Sequence, residues 1–251
     1  MMQKLWVLGF LLVLAGCVTT EVGKNPSPVA DQNAAAEINL QLGVNYFRQG
    51  NLTAAREKLE KAIEQKPNLA QAHSMLGLVY QEIGDPVEAE KQYKRAVKLA
   101  SNDPNTLNDY AGFLCFDRGQ VDNALTYFDK ALRIPLNDNR TMLYSNAARC
   151  AMQSDPQRAE NYLRTALASD RDNALLMVQI ADLAYRQQQY LQARVFLERS
   201  LEITSPTPTM LYLLSKTEAQ LGDIAMSRQY RAQLVELYPL SEEAVAIQRG
   251  D

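Results

Sequence analysis

Apolar and small residues along this chain recur with the period of helices, and the helical segments themselves recur. In residues 70–103, Leu76, Gly77 and Tyr80 share one side of a first helix, and Ala89, Tyr93 and Ala96 form a stripe on a second at i, i+4 and i+7. Small residues then return at near-constant spacing. Gly43, Gly77, Gly112, Ala147, Ala181 and Ser215 are separated by 34, 35, 35, 34 and 34 residues, and Ala55, Ala89, Ala124, Ala159, Ala193 and Ser227 keep the same intervals. A period near 34 predicts a solenoid of paired helices, each pair burying its apolar face against the next. Gly77 and Ala89 are small where the two helices of a pair must approach closely; a larger side chain would force them apart.

Turn chemistry follows the same rhythm. Gly50, Gly84, Gly119 and Gly222 suit a left-handed C-terminal cap. Asn51, Asp85, Asp155 and Asp223 are placed to cap the second helix, with Pro86 and Pro156 at its first position. The expected fold is all-α: a superhelix of six repeats over 36–241, divided as 36–69, 70–104, 105–139, 140–173, 174–207 and 208–241. A capping helix follows in 242–251. Glu218 and Arg231 stand at core sites of the sixth unit, which is therefore expected to be a partly solvated cap.

The N-terminus carries a different pattern. One cation, Lys4, precedes an apolar run from Leu5 to Ala15, too short to span a bilayer and of the length of a signal-peptide core. Residues 1–16 are expected to be that signal. The ending Leu14-Ala15-Gly16-Cys17 resembles a bacterial lipobox, which implies cleavage before Cys17 and acylation of that residue. Several chains on one cysteine would hold the protein at a membrane without a spanning helix. Val18, where many inner-membrane lipoproteins carry Asp, points to the periplasmic face of the outer membrane. Residues 17–35 are polar around Pro26, Ser27 and Pro28 and are expected to be a flexible tether.

Charge and composition narrow the partners. A net charge of -3 and a pI near 5.4 give no basic stripe for nucleic acid. His73, the single histidine, has no companions at metal-ligand spacing and is expected to be structural. No phosphate loop or nucleophile motif is present, so no enzyme, cofactor, metal or small-molecule substrate is expected. Cys115 and Cys150 occupy equivalent places in adjacent units. First helices packing 8–10 Å apart argue for two buried free thiols rather than a bridge.

First helices of such a stack line its concave side. Counting equivalent places gives a candidate partner-binding groove of Leu40, Val44, Phe47, Leu78, Phe113, Phe116, Tyr144, Tyr185, Arg186 and Tyr212. Met152, Asp182 and Lys216 fall at further groove places. Either these aromatics line a groove for a peptide or helix, or the phase is off by one residue and the rings are core.

Leu42, Gly43, Tyr46, Ala55, Leu59, Ala62 and Pro67 resemble the tetratricopeptide repeat. Later units drift, with Asn146 at a leucine site and Cys115 and Cys150 at tyrosine sites. The lipobox, the tether and six such repeats resemble the type IV pilus biogenesis lipoproteins of the PilF/PilW family. Local text carries that likeness in Gln41-Leu42-Gly43-Val44-Asn45-Tyr46, in Leu107 to Leu114, and in Ala181-Asp182-Leu183-Ala184-Tyr185. The resemblance implies a lipid-anchored pilotin that binds secretin subunits and promotes their localisation or assembly, with partner contact on the early repeats. An envelope scaffold recruiting peptidoglycan hydrolases or outer-membrane assembly components is the alternative.

Overall fold

The structure is a computed structural model and describes residues 28–135 and 138–249. Residues 1–16 and Cys17 lie outside that range. Among the described residues there are thirteen helices and no strand. The first six are α1 (Pro28–Arg48), α2 (Leu52–Gln65), α3 (Ala70–Ile83), α4 (Pro86–Leu99), α5 (Pro104–Phe116) and α6 (Val121–Leu132). Then come α7 (Arg140–Ala151), α8 (Pro156–Ser169), α9 (Ala174–Arg186), α10 (Tyr190–Ile203), α11 (Pro208–Leu221), α12 (Ile224–Leu237) and α13 (Glu242–Arg249). Consecutive odd and even helices pair, the six pairs stack in chain order, and α13 packs on α11 and α12. None of the described helices is long and apolar enough to cross a membrane.

The periodic small residues sit where helices meet. Ala55, Ala89, Ala124, Ala159 and Ala193 are fully buried, as are Ala147, Ala181 and Ser215 in the first-helix column. A Cβ on Gly43 would lie 2.6 Å from Leu59 Cγ, and one on Gly77 would lie 3.0 Å from the Tyr93 ring. Gly112 breaks the rule, since a Cβ there would meet nothing within 4 Å.

Caps enforce the turns. The carboxylate or amide oxygens of Asn51, Asp85, Asp155 and Asp223 accept from backbone N–H groups three residues on, at 3.0–3.1 Å. Asp103 and Asn173 do the same for the first helices α5 and α9. Gly84 closes α3 at φ +85°, and the Asp85 N–H then donates to the Tyr80 carbonyl. In the fifth unit Gln188 takes the left-handed place, at φ 62°, with the equivalent bond from Gln189 N–H to Ala184 O.

Polar bonds between equivalent helices repeat at the period of the fold. Ser74 donates to Asp109, Gln81 to Asp117, Asn139 to Asn105, Ser145 to Gln179 and Thr209 to Glu243, at sequence separations of 34–36. On the second helices Tyr162 and Arg158 both donate to Asp129 of the preceding unit. These bonds tie units two to five to one another, and unit six to α13, in a fixed register, which the apolar contacts alone, being non-directional, would leave looser.

Two features differ from expectation. Helix α1 begins at Pro28, so 28–35 of the expected tether is helical. Pro28 needs no amide partner in the first turn, Asp31 complements the helix N-terminus, and Ala34 to Ala36 favour the helix, with Ala36 buried. Cys115 and Cys150 are joined, with Cα atoms 5.9 Å apart. The expectation of free thiols took the distance between helix axes. Cα atoms lie about 2.3 Å off the axis, so facing ones on neighbouring helices are some 4.6 Å closer than the axes are.

The sixth unit keeps its polar core residue by pairing it. Glu218 is 3% exposed, and Arg194 of α10 grips both carboxylate oxygens, its Nε lying 2.8 Å from Oε1. A small core of Leu211, Leu234 and Ala244 closes the end of the stack.

Candidate functional site

A wide recess lies on the first helices of units three to six. It is an open groove of about 1130 Å³. Phe116, Tyr185, Arg186 and Tyr212 line it, as the sequence pattern predicts, together with Met152, Asp182 and Lys216. Its apolar floor also includes Leu175, Val178 and Leu213, and its walls include the Cys115–Cys150 bond, Arg149, Thr209 and Glu243. Leu175, Thr209 and Glu243 follow one another at 34 residues. That spacing is the signal by which the first-turn column could have been read as lining, and it was missed.

Other candidates stand elsewhere. Leu40 and Phe113 are core residues, at 0% and 1% exposure, and are corrected here as groove lining. A concave surface crowds its side chains, and these two turn inward, Leu40 toward the next first helix and Phe113 toward the second helix of the preceding unit. Leu40 joins Ala36, Ala72 and Leu76, while the Phe113 ring packs 5.2 Å from that of Tyr93. Val44 and Phe47 are half-buried against the same N-terminal core. Leu78 borders a separate recess of about 180 Å³ with Phe113, Phe116 and Asp109. Tyr144 leans on the second helix of its own unit, 6.1 Å from the Tyr162 ring, and its hydroxyl accepts from Arg140 at 3.2 Å.

Aromatic rings hold cations along the groove. The Arg149 guanidinium lies 4.9 Å from the centre of the Phe116 ring, and Lys216 Nζ lies 5.0 Å from that of Tyr212 while donating to its hydroxyl. Arg186 pairs with Asp182 at 3.0 Å. Toward the N-terminal end the concave face turns acidic. Burial raises the carboxyl pKa of Asp109, opposed by hydrogen bonds from Ser74 and Asn108. Burial and nearby Glu82 raise that of Asp117.

His73 is buried, with Nδ1 2.8 Å from Gln92 Oε1 and Nε2 3.2 Å from the Pro67 carbonyl. One contact ties α3 to α4 within the second unit, and the other holds the turn between the first two units. No three His, Cys, Asp or Glu side chains among the described residues cluster as metal ligands. What the arrangement offers is contact area, fixed cations and hydrogen-bonding groups along a groove, the requirements of a protein-binding surface.

Comparison with known proteins agrees with the geometry. Models of the tetratricopeptide repeat match residues 34–102 and 151–217. The type IV pilus assembly protein PilF of Pseudomonas aeruginosa is 29% identical over 240 residues, 94% of each chain. An uncharacterised protein of Haemophilus influenzae is 26% identical over 163 residues, 65% of this chain and 87% of the other. The solved structure of P. aeruginosa PilF superposes with a TM-score of 0.73 at 27% identity, covering 88% of this chain and 100% of that one. PilW, described as a widely conserved type IV pilus biogenesis factor, shares the fold at a TM-score of 0.77 and 24% identity, covering 86% and 99%. The chain belongs to the tetratricopeptide-repeat proteins and is a homologue of PilF along nearly its whole length.

Proposed function

We propose that this protein is a non-enzymatic factor of type IV pilus biogenesis, anchored by acylated Cys17 at the periplasmic face of the outer membrane. There it binds secretin subunits and promotes their localisation and assembly. The observation that carries the reading is the likeness to PilF, which spans 94% of both chains and so includes the whole repeat array rather than one generic repeat. The Cys115–Cys150 bond supports an oxidising compartment such as the periplasm. The Leu14-Ala15-Gly16-Cys17 sequence supports the lipid anchor. A groove with apolar floor and fixed cations supports work by binding rather than by chemistry.

The test is affinity capture of the tagged full-length protein from solubilised outer membrane, with the pilus secretin as readout, beside a Cys17→Ser variant. Wild type is expected to bring down the secretin. The variant is expected to leave the outer-membrane fraction with an unchanged melting temperature. Capture of cell-wall hydrolases in place of secretin would favour an envelope scaffold. Normal partition of the Cys17→Ser variant would overturn the anchor.

A further inference from the structure

We propose that the groove of units three to six receives a peptide segment in which carboxylates alternate with apolar side chains. The proposal rests on the protein-binding reading above and adds the chemistry of the occupant.

The floor asks for apolar side chains. Leu175 is 62% exposed, and Val178 and Leu213 adjoin it, so water covers apolar surface until a partner displaces it. The walls ask for carboxylates. Arg149 and Lys216 are each held over an aromatic ring, at 4.9 and 5.0 Å, and among the described residues neither forms an ion pair. Of the carboxylates facing the same space, Asp182 is paired with Arg186, and Glu243, which accepts from the Thr209 hydroxyl at 2.7 Å, keeps its single charge against the two of Arg149 and Lys216. The charge left for a partner is therefore positive. Asp109 and Asp117, both on the third unit, give the N-terminal end of the concave face the opposite sign. An acidic segment is thus drawn to the C-terminal end and a basic one away from it.

The probes are two short labelled peptides with the same leucine and phenylalanine positions. One carries Asp and Glu between them, the other Lys, and binding to the full-length protein in detergent is read by fluorescence anisotropy. The acidic peptide is expected to bind roughly tenfold tighter, with an advantage that shrinks at high salt. An Arg149→Glu, Lys216→Glu double variant is expected to invert the order at an unchanged melting temperature. If that variant does not fold, Arg149→Gln with Lys216→Gln is expected to abolish the preference. Equal binding, preference for the basic peptide, or no binding of either overturns the proposal, as does an unchanged order in a folded variant. Secretin capture by wild type separates the two readings: if it persists while the peptide preference is absent, the groove chemistry fails and the pilus role stands.

Discussion

The guanidinium of Arg149 lies 4.9 Å from the centre of the Phe116 ring, and each of the two residues is the chain neighbour of one half of the Cys115–Cys150 bond. The bond therefore fixes the first helices of units three and four at the point where they form the groove wall. A ring and a cation on two separate helices keep their spacing only if the helices do.

Reduction should act on stability and on the groove together. The bond closes a loop at a sequence separation of 35, for which the chain-entropy argument gives about 3–4 kcal/mol. A Cys115→Ser, Cys150→Ser variant is expected to lose about that much unfolding free energy, read as a lower urea midpoint, and reductant should lower wild type to match. Identical midpoints with and without reductant would contradict the bond.

Two glycines in the same repeat column are expected to respond with opposite signs. At Gly43 a new methyl would collide with the buried Leu59 side chain, so Gly43→Ala should destabilise by about 1–3 kcal/mol. At Gly112 it would meet open space, and Gly112→Ala should stabilise by about 0.5–1 kcal/mol through helix propensity. Urea unfolding of the pair measures both. Equal effects would mean that the repeat pattern, and not local packing, decides.

Asp109 gives the pH dependence. Burial raises its folded pKa, and the hydrogen bonds from Ser74 and Asn108 offset this only in part. A raised folded value means the native state holds the proton to higher pH than the unfolded chain. The stability from this group is present below the unfolded value of 3.8 and is lost as pH rises through the folded one. Asp109→Asn keeps an acceptor for the Ser74 hydroxyl and removes the charge. It is expected to be more stable than wild type at pH 7, with an advantage that narrows on acidification. An advantage that widens instead would contradict the assignment.

Local chemistry was legible in the sequence because its causes are local. The 34-residue rhythm, the caps at Asn51, Asp85, Asp155 and Asp223, and the glycines at positive φ each follow from a few neighbouring residues. The groove was legible only in part. Phe116, Tyr185, Arg186 and Tyr212 reach it, whereas Leu40, at the place equivalent to Tyr212, and Phe113, at the place equivalent to Asp182 and Lys216, are buried. Repeat phase says which side of a helix a residue is on, but curvature of the stack decides whether that side faces water or the next helix. The Cys115–Cys150 pairing was misjudged for a related reason, since the distance between helices differs from the distance between the two atoms that face each other across them.

The central claim is a role in secretin assembly. The most direct measurement is an immunoblot of unheated outer-membrane fractions for the pilus secretin, in wild type, in a deletion of this gene and in the complemented deletion. The account predicts loss of the high-mass secretin multimer in the deletion and its return on complementation. A normal multimer, correctly located, in the deletion would contradict it.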